Sequence, residues 1–332
     1  EAGMNLLKHK KKIIATVLLG CVGYAWSCVA AIPNQAPPMV PERSAWIVYW
    51  DWQQGLEQAL VREDQALVAF AAHFNKHNHI TLPKGLDVNA LQQGQEFAGR
   101  RFYLSFVNDK EAGKGVSLKD VQLLHRLLDK ETVRHRHIAE IVKLSKEKGF
   151  TGIEIDYENL WQEEALVKSY AQFARELKSA CDNNGLKLRL VLEPKTLAYA
   201  ELLPEKVEYV VMFYNLYGPH SGPGPKANEK FIMRTLKQME KLCGTTTIAF
   251  ANGGFDWAEG GRVSGLTQGE AEALVRKYQV NPERDKASRA LYFSYSIKDE
   301  VHTVWYADEL TLAFWRNIAE KYGYQRFSLW RL

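Results

Sequence analysis

Three carboxylates recur at every second residue in Gly152-Ile153-Glu154-Ile155-Asp156-Tyr157-Glu158. In an extended strand, alternate residues share one face, about 6.6 Å apart. Glu154, Asp156 and Glu158 then project together, while Ile153, Ile155 and Tyr157 take the other face. On an edge strand this would be an ordinary solvated row of acids. Inside a parallel barrel, like charges in a restricted space push at least one carboxyl toward its neutral form. A carboxylic acid that keeps its proton near neutral pH is what general acid catalysis requires. Glu158 comes last in the row, nearest the C-terminal mouth where barrels of this kind place their chemistry.

The sequence around the row supplies the barrel. Short apolar, β-branched or aromatic runs alternate with helix-like segments. The runs are Trp46–Trp50, Val68–Phe74, Phe102–Val107, the strand after Gly152, Leu186–Leu192, Tyr209–Tyr214, Thr246–Ala251 and Arg326–Trp330. Helical spacing is read from about Leu56, across Asp120–Lys148 and over Glu164–Cys181, with Gly149 and Asn183-Asn184-Gly185 as stops. Continuous apolar strands in repeated βα units argue a parallel sheet buried on both faces. About eight such units predict an α/β fold, a (β/α)8 TIM barrel over residues 45–332. The runs Ala290–Tyr295 and Val301–Tyr306 break the rhythm and read as an antiparallel hairpin. They predict a small α+β insertion at about residues 253–308, between strands seven and eight, walling one side of a cleft.

At this point the sequence resembles a family. Thr151-Gly-Ile-Glu-Ile-Asp-Tyr-Glu158 is similar to the fourth-strand signature D-G-x-D-x-D-x-E of family 18 glycoside hydrolases, which include chitinases and related endo-N-acetylglucosaminidases. Thr151 stands for the first Asp and Glu154 for the second; Asp156 and Glu158 match. Val211-Met212-Phe213-Tyr214-Asn215 resembles the family's M-x-Y-D, with Asn215 in place of Asp. Gly222-Pro-Gly-Pro225, Gly254-Phe-Asp-Trp257, His302-Thr-Val-Trp-Tyr306 and Leu329-Trp330 resemble the branch that contains spore-germination and cortex-lytic hydrolases.

The resemblance implies hydrolysis of β-1,4 bonds in an N-acetylglucosamine-containing polysaccharide, peptidoglycan ahead of chitin. It further implies a retaining, substrate-assisted route, an exception to the usual pair of enzyme carboxylates. Glu158 is expected as general acid/base, Asp156 as the group that orients the substrate's acetamide, and Tyr214 as its hydrogen-bond donor. Trp330 would floor the sugar at the cut. Glu154, Asn215, Met212, Asn108, Glu193, Trp50 and Trp305 complete the expected substrate-binding set. A non-catalytic carbohydrate-binding protein on the same barrel is the alternative, because function belongs to the site and not the fold; the retained Glu158 favours the enzyme.

Other chemistries lack their parts. His73, His77 and His79 cluster without acidic or cysteine ligands at a closed-site spacing, so they read as solvated histidines and no metal is expected. The sequence contains no G-x-S-x-G elbow, P-loop or G-x-G-x-x-G turn, and no cofactor is expected. The formal charge of +4 is inflated by Lys8, Lys10, Lys11 and Lys12; without these and Glu1, 39 basic residues face 38 acidic ones. That leaves no broad basic field for nucleic acid. A monomer is expected.

The N-terminus carries its own pattern. Lys8–Lys12 followed by an apolar run over residues 13–31 reads as an export leader spanning residues 4–31. Leu18-Leu-Gly-Cys21 resembles a lipoprotein box, which would lipidate Cys21 and hold the chain at a membrane. Val29-Ala30-Ala31 allows ordinary cleavage and release, and the run is also long enough for an uncleaved anchor. Residues 32–44, rich in proline, read as a tether. The expected location is therefore the cell envelope or the exterior. Cys181 and Cys243 are left open as a disulfide or as two thiols.

Overall fold

The computed structural model describes residues 41–84, 86, 88, 94–113 and 115–332. The leader, Cys21 and all of the tether but its last four residues lie outside the described residues.

Seven barrel strands are laid down before the insertion: β1 (Glu42–Val48), β2 (Ala66–Phe74), β3 (Arg101–Ala112), β4 (Gly152–Asp156), β5 (Lys187–Leu192), β6 (Glu208–Met212) and β7 (Thr245–Ala251), with short antiparallel strands Ile80–Thr81 and Gly115–Ser117 beside β2 and β3. The inserted strands are β8 (Gly253–Ala258), β9 (Val263–Leu266), β10 (Leu291–Ile297) and β11 (Glu300–Ala307); β12 (Arg326–Trp330) ends the chain. Parallel pairing runs β3–β4–β5–β6–β7–β12–β1–β2, and β2 pairs back to β3, so eight strands close into a barrel. Closure leaves no unpaired edge in the ring. The inserted strands form a separate antiparallel sheet in the order β9-β8-β11-β10, finished by a short strand at Glu283–Arg284.

Helices α1 (Trp52–Leu60), α2 (Val121–Leu128), α3 (Glu131–Glu147), α4 (Glu164–Asn183), α5 (Glu229–Met239), α6 (Gln268–Tyr278) and α7 (Glu309–Lys321) follow the strands. Their starts are written in local chemistry. Asp120, Asn228 and Asp308 accept the N–H of Leu123, Phe231 and Thr311, and Thr267 with Glu270 forms a reciprocal capping box. Gly149, at φ 71°, takes the left-handed conformation that ends α3 before β4. The link from β5 to β6 is a 3₁₀ segment, Pro194–Leu202, where an α-helix would be usual.

Two cores result. The outer one fills the space between strands and helices, with Ile153, Ile155, Tyr157, Phe173 and Trp315 among its members. The inner one fills the lumen with Trp46, Ala66, Val68, Tyr103, Val191, Val210, Met212 and Ala249. Gly152 belongs to the inner packing: a Cβ there would meet the Tyr103 ring at 2.4 Å and the Lys187 carbonyl at 2.9 Å. The inserted sheet has its own core of Ala271, Phe293, Tyr295, Val304 and Tyr306.

Several boundaries differ from expectation, each for a local reason. The tether gives way to β1 at Glu42, because residues 42–45 pair with Arg326–Leu329. The single helix read over residues 120–148 is two, α2 and α3. Between them, Asp129 accepts a hydrogen bond from Ser169 Oγ while Arg134 donates to the Leu128 carbonyl. β4 stops at Asp156 and β6 at Met212, so Glu158 and Tyr214 sit on loops rather than in strands. Cys181 is buried and Cys243 exposed, and each is a free thiol. Among the described residues no helix is long and apolar enough to cross a membrane.

Candidate active site

The row of acids does alternate as its sequence demands. Ile153, Ile155 and Tyr157 belong to the outer core, and the Tyr157 hydroxyl is 2.7 Å from His137 Nε2. Glu154 and Asp156 therefore face the lumen. They meet different surroundings there.

Glu154 is fully buried beneath the site. Its Oε1 accepts the Trp46 indole N–H at 2.6 Å, and its Oε2 lies 3.1 Å from Arg189 Nε. Arg189 is the residue opposite it in register on β5. Glu154, expected as a substrate contact, has no solvent-exposed surface and is engaged by Trp46 and Arg189. The network continues downward: Arg189 lies 3.9 Å from Glu208, Arg326 Nη2 is 3.1 Å from Glu208, and Glu42 is shared between Arg326 at 2.7 Å and Arg101 at 2.5 Å. Burial alone would raise the Glu208 carboxyl, but Arg189 and Arg326 hold it below its ordinary range. The same burial pushes Glu154 up, against the pull of Arg189 and Trp46.

Asp156 stands one step higher, and its Oδ1 is buried without a hydrogen-bond partner. Burial, then the charges of Glu158 and Glu154, push its carboxyl well above the usual carboxylate range. Glu158 follows on the loop, its carboxyl raised to about 7, chiefly by burial and against the pull of Lys119. Its backbone is clamped by Asn108 from β3. Asn108 Oδ1 accepts the Glu158 N–H at 2.9 Å, and Asn108 Nδ2 donates to the Glu158 carbonyl at 3.2 Å. Asn108, expected to contact substrate, is buried, and its side-chain amide is engaged by the Glu158 backbone. Glu193, after β5, accepts the Asn159 N–H at 2.5 Å and so fixes the next residue of the same loop. Asn159 itself is left-handed, at φ 64°.

The aromatic floor is built from separate strands. Trp330 meets Phe70 edge-on at 4.8 Å and Trp46 at 5.8 Å, and with Tyr214 it packs on the lumen core. Burial, then the neighbouring carboxylates of Asp156 and Glu158, keep the Tyr214 phenol well above its ordinary range, so it stays a neutral donor. Met212 is buried in that core, and its sulfur lies 3.3 Å from Asn215 Nδ2. Trp50 is exposed at the rim, edge-on to Phe70 at 5.9 Å and under the Arg331 guanidinium at 5.7 Å. Trp305 stacks on Tyr292 at 4.6 Å, a ring contact made within the inserted sheet.

The structure thus brings Glu158, Asp156, Tyr214, Asn108, Glu193, Met212, Asn215 and Trp330 to one end of the barrel, with Trp50 at its rim. Two residues central to the electrostatics carry weak sequence signals. Arg189 is the cation in the middle of Leu186-Lys-Leu-Arg-Leu-Val-Leu192, two residues inside Lys187 and in phase with the lumen face, and that phase could have flagged it. Lys119 Nζ forms an ion pair with Glu158 Oε2; it lies in a polar loop that nothing in the sequence marks.

Buried, proton-retaining carboxyls beneath an aromatic-walled mouth define a site for acid–base chemistry on a ring-shaped polar ligand. The comparisons agree with that class. Residues 46–332 match the family model "Glycosyl hydrolases family 18", and the chain belongs to that family. The uncharacterized glycosylase YvbX of Bacillus subtilis is 24% identical over 229 residues, 64% of this chain and 66% of that protein. The cortical fragment-lytic enzyme of Bacillus subtilis is 24% identical over 225 residues, 62% of this chain and 52% of that protein. This chain therefore spans just under two thirds and about half, respectively, of those relatives' lengths. The crystal structure of a chitinase from Chromobacterium violaceum superposes with a TM-score of 0.72 at 20% identity, covering 88% of this chain and 94% of that one.

Proposed function

We propose that this barrel hydrolyses β-1,4 glycosidic bonds in N-acetylglucosamine-containing polysaccharide, with peptidoglycan preferred to chitin. One observation carries the reading: Glu158, a carboxyl raised to about 7, sits at the barrel mouth one alternate residue above the buried Asp156. A group with that value keeps its proton at neutral pH and can also lose it, as a residue serving first as acid and then as base must. The preference for peptidoglycan rests on the cortex-lytic relative and on the loop motifs.

In the proposed reaction Glu158 protonates the glycosidic oxygen and the bond to the anomeric carbon breaks. The substrate's own acetamide carbonyl attacks that carbon, giving a cyclic oxazolinium in place of a glycosyl-enzyme. Asp156 orients the acetamide N–H and offsets the positive charge, while Tyr214 donates to the acetamide oxygen. Glu158, now a carboxylate, takes a proton from the incoming water, and the configuration is retained. Trp330 supplies an apolar face for the sugar ring. We further propose that residues 4–31 export the chain and that lipidation of Cys21 holds it near the wall; mass spectrometry of the mature N-terminus tests this.

The direct test incubates the protein with purified peptidoglycan and with N-acetylglucosamine oligomers, beside Glu158→Gln. Release of reducing ends by the parent, lost in the variant, supports the reading, and the two substrates separate a wall hydrolase from a chitinase. Binding of glycan without cleavage by either protein would make the chain a carbohydrate-binding protein.

A further inference from the structure

A lysine that pairs with a general acid opposes that acid's function, because an adjacent ammonium favours the carboxylate over the protonated form. Lys119 is nevertheless built into that position. Its backbone N–H donates to Asp109 Oδ1 at 2.8 Å, and its φ of 53° lies in the left-handed region that a side-chain-bearing residue seldom occupies. The next residue, Asp120, donates its N–H to the Asn108 carbonyl at 2.8 Å. Asn108 is the residue that clamps the backbone of Glu158 from both sides. Two adjacent residues of β3, Asn108 and Asp109, therefore hold both partners of the ion pair: Glu158 through Asn108, and the Lys119 segment through both.

The charges around the pair are lopsided. Lys119 and Glu158 are faced by Asp109 from β3, Asp156 from β4 and Glu193 from the loop after β5, with His73 of β2 facing Asp109 and the Tyr214 phenol facing Glu158. Lys119 is 43% exposed and Glu158 15%, so the lysine is the partner that can move. A general acid contacts the glycosidic oxygen at about 2.6–3.2 Å. The ammonium is held at the same carboxyl by the ion pair, so a glycan whose scissile oxygen meets Glu158 is brought toward its flexible four-carbon stem.

We propose that Lys119 is a specificity-determining residue that reads a carboxylate carried by the glycan beside the scissile bond. This rests on the glycosidase reading above and names its substrate class: an anionic, N-acetylated glycan, such as one bearing 3-O-lactyl groups. On an uncharged glycan, Lys119 stays with Glu158 and favours its carboxylate form, so fewer molecules carry the proton that the leaving oxygen needs. On an anionic glycan, the ammonium exchanges the Glu158 carboxylate for the ligand's, and Glu158 takes up one proton from solvent. The charge of the ligand is thereby coupled to arming the acid, so that discrimination comes from an element acting against the neutral substrate as well as one favouring the charged substrate.

The test compares parent, Lys119→Met and Lys119→Arg on three substrates. The first is peptide-stripped strands bearing free lactyl carboxylates, the second the same strands with those carboxyls reduced to alcohols, and the third strands that keep their peptides. The parent should favour the charged over the reduced strands by about tenfold or more in kcat/KM, the equivalent of one charge-assisted contact. Lys119→Met should abolish that ratio, losing on charged strands while its activity on reduced strands extends to higher pH. Lys119→Arg should restore most of the ratio. A preference for the peptide-bearing strands would place the carboxylate on the peptide and keep the role of Lys119. An unchanged ratio in Lys119→Met, with unfolding temperature also unchanged, overturns the proposal. Should the parent cut none of the three, the glycosidase reading fails. Calorimetric titration of parent and Lys119→Met with the charged and reduced strands then still decides: equal charge preference in both proteins overturns the role of Lys119, and loss of preference in the variant upholds it as a ligand contact.

Discussion

The floor and the mouth of this barrel treat carboxylates in opposite ways. On the floor, Glu42, Glu154 and Glu208 are interleaved with Arg101, Arg189 and Arg326, and the contacts run from 2.5 to 3.9 Å. At the mouth, Asp109, Asp156, Glu158 and Glu193 share the ammonium of Lys119. The consequence is chemical. Glu208 is held below its ordinary range despite burial, whereas Glu158 rises to about 7 because of it. Arginine is always charged and gives a planar fork of donors, which suits a fixed support; lysine is a point charge on a flexible stem, which suits a partner that must leave. Two carboxylic side chains on one strand, two positions apart, become a scaffold at Glu154 and a poised group at Asp156.

The largest expected effect would break the mouth. Glu158→Gln should lower hydrolysis, read by reducing-end release, by about 10²–10⁴-fold, the range for removing a general acid, while circular dichroism shows the fold intact. Breaking the floor should do the reverse. Arg189→Leu leaves Glu154 buried without its cation and should cost about 3–5 kcal/mol of stability, read as a fall in unfolding temperature. A variant that kept its stability would contradict the floor's structural role.

A pH series sharpens the contrast. A carboxyl raised by folding binds its proton more tightly in the native state, so stability declines as pH climbs from about 4.5 toward about 7 for Glu158. Glu158→Gln should flatten that decline. Glu208, held low, contributes stability above its ordinary range that is lost on acidification. Unfolding temperature against pH, for parent and Glu158→Gln, separates the two.

Two smaller effects test the frame of the site. Trp330→Ala should weaken glycan binding by about two- to tenfold, from loss of one aromatic stacking face worth about 0.5–1.5 kcal/mol. Asn108→Ala should cost about 1 kcal/mol per hydrogen bond removed and appear mainly in kcat, since Asn108 reaches the ligand only through Glu158. A change confined to KM would return Asn108 to the role of direct contact.

Much of this was legible in the chain. Period-two alternation around Gly152 assigned the acids to one face and Ile153, Ile155 and Tyr157 to the other, because strand geometry leaves no other arrangement. The barrel's eight apolar strands and the break over residues 253–308 were visible for the same reason, as periodicity and punctuation. What periodicity cannot carry is distance between strands. That Arg189 lies opposite Glu154, that Asn108 reaches across to Glu158, and that Trp46 donates to Glu154 from the far side of the ring follow from register and closure. The two-residue break between α2 and α3 also depends on a partner, Ser169, in another helix.

Sequence by itself therefore determined which residues could do chemistry and which face they share, since local backbone geometry fixes both. Tertiary structure alone decided which carboxylate is neutralised by arginine and which keeps a proton near neutral pH. That choice depends on burial and on the charge next door, and both are properties of neighbours up to 284 positions away in the chain, as between Glu42 and Arg326. It also decided that Lys119, unmarked in its loop, stands beside the acid.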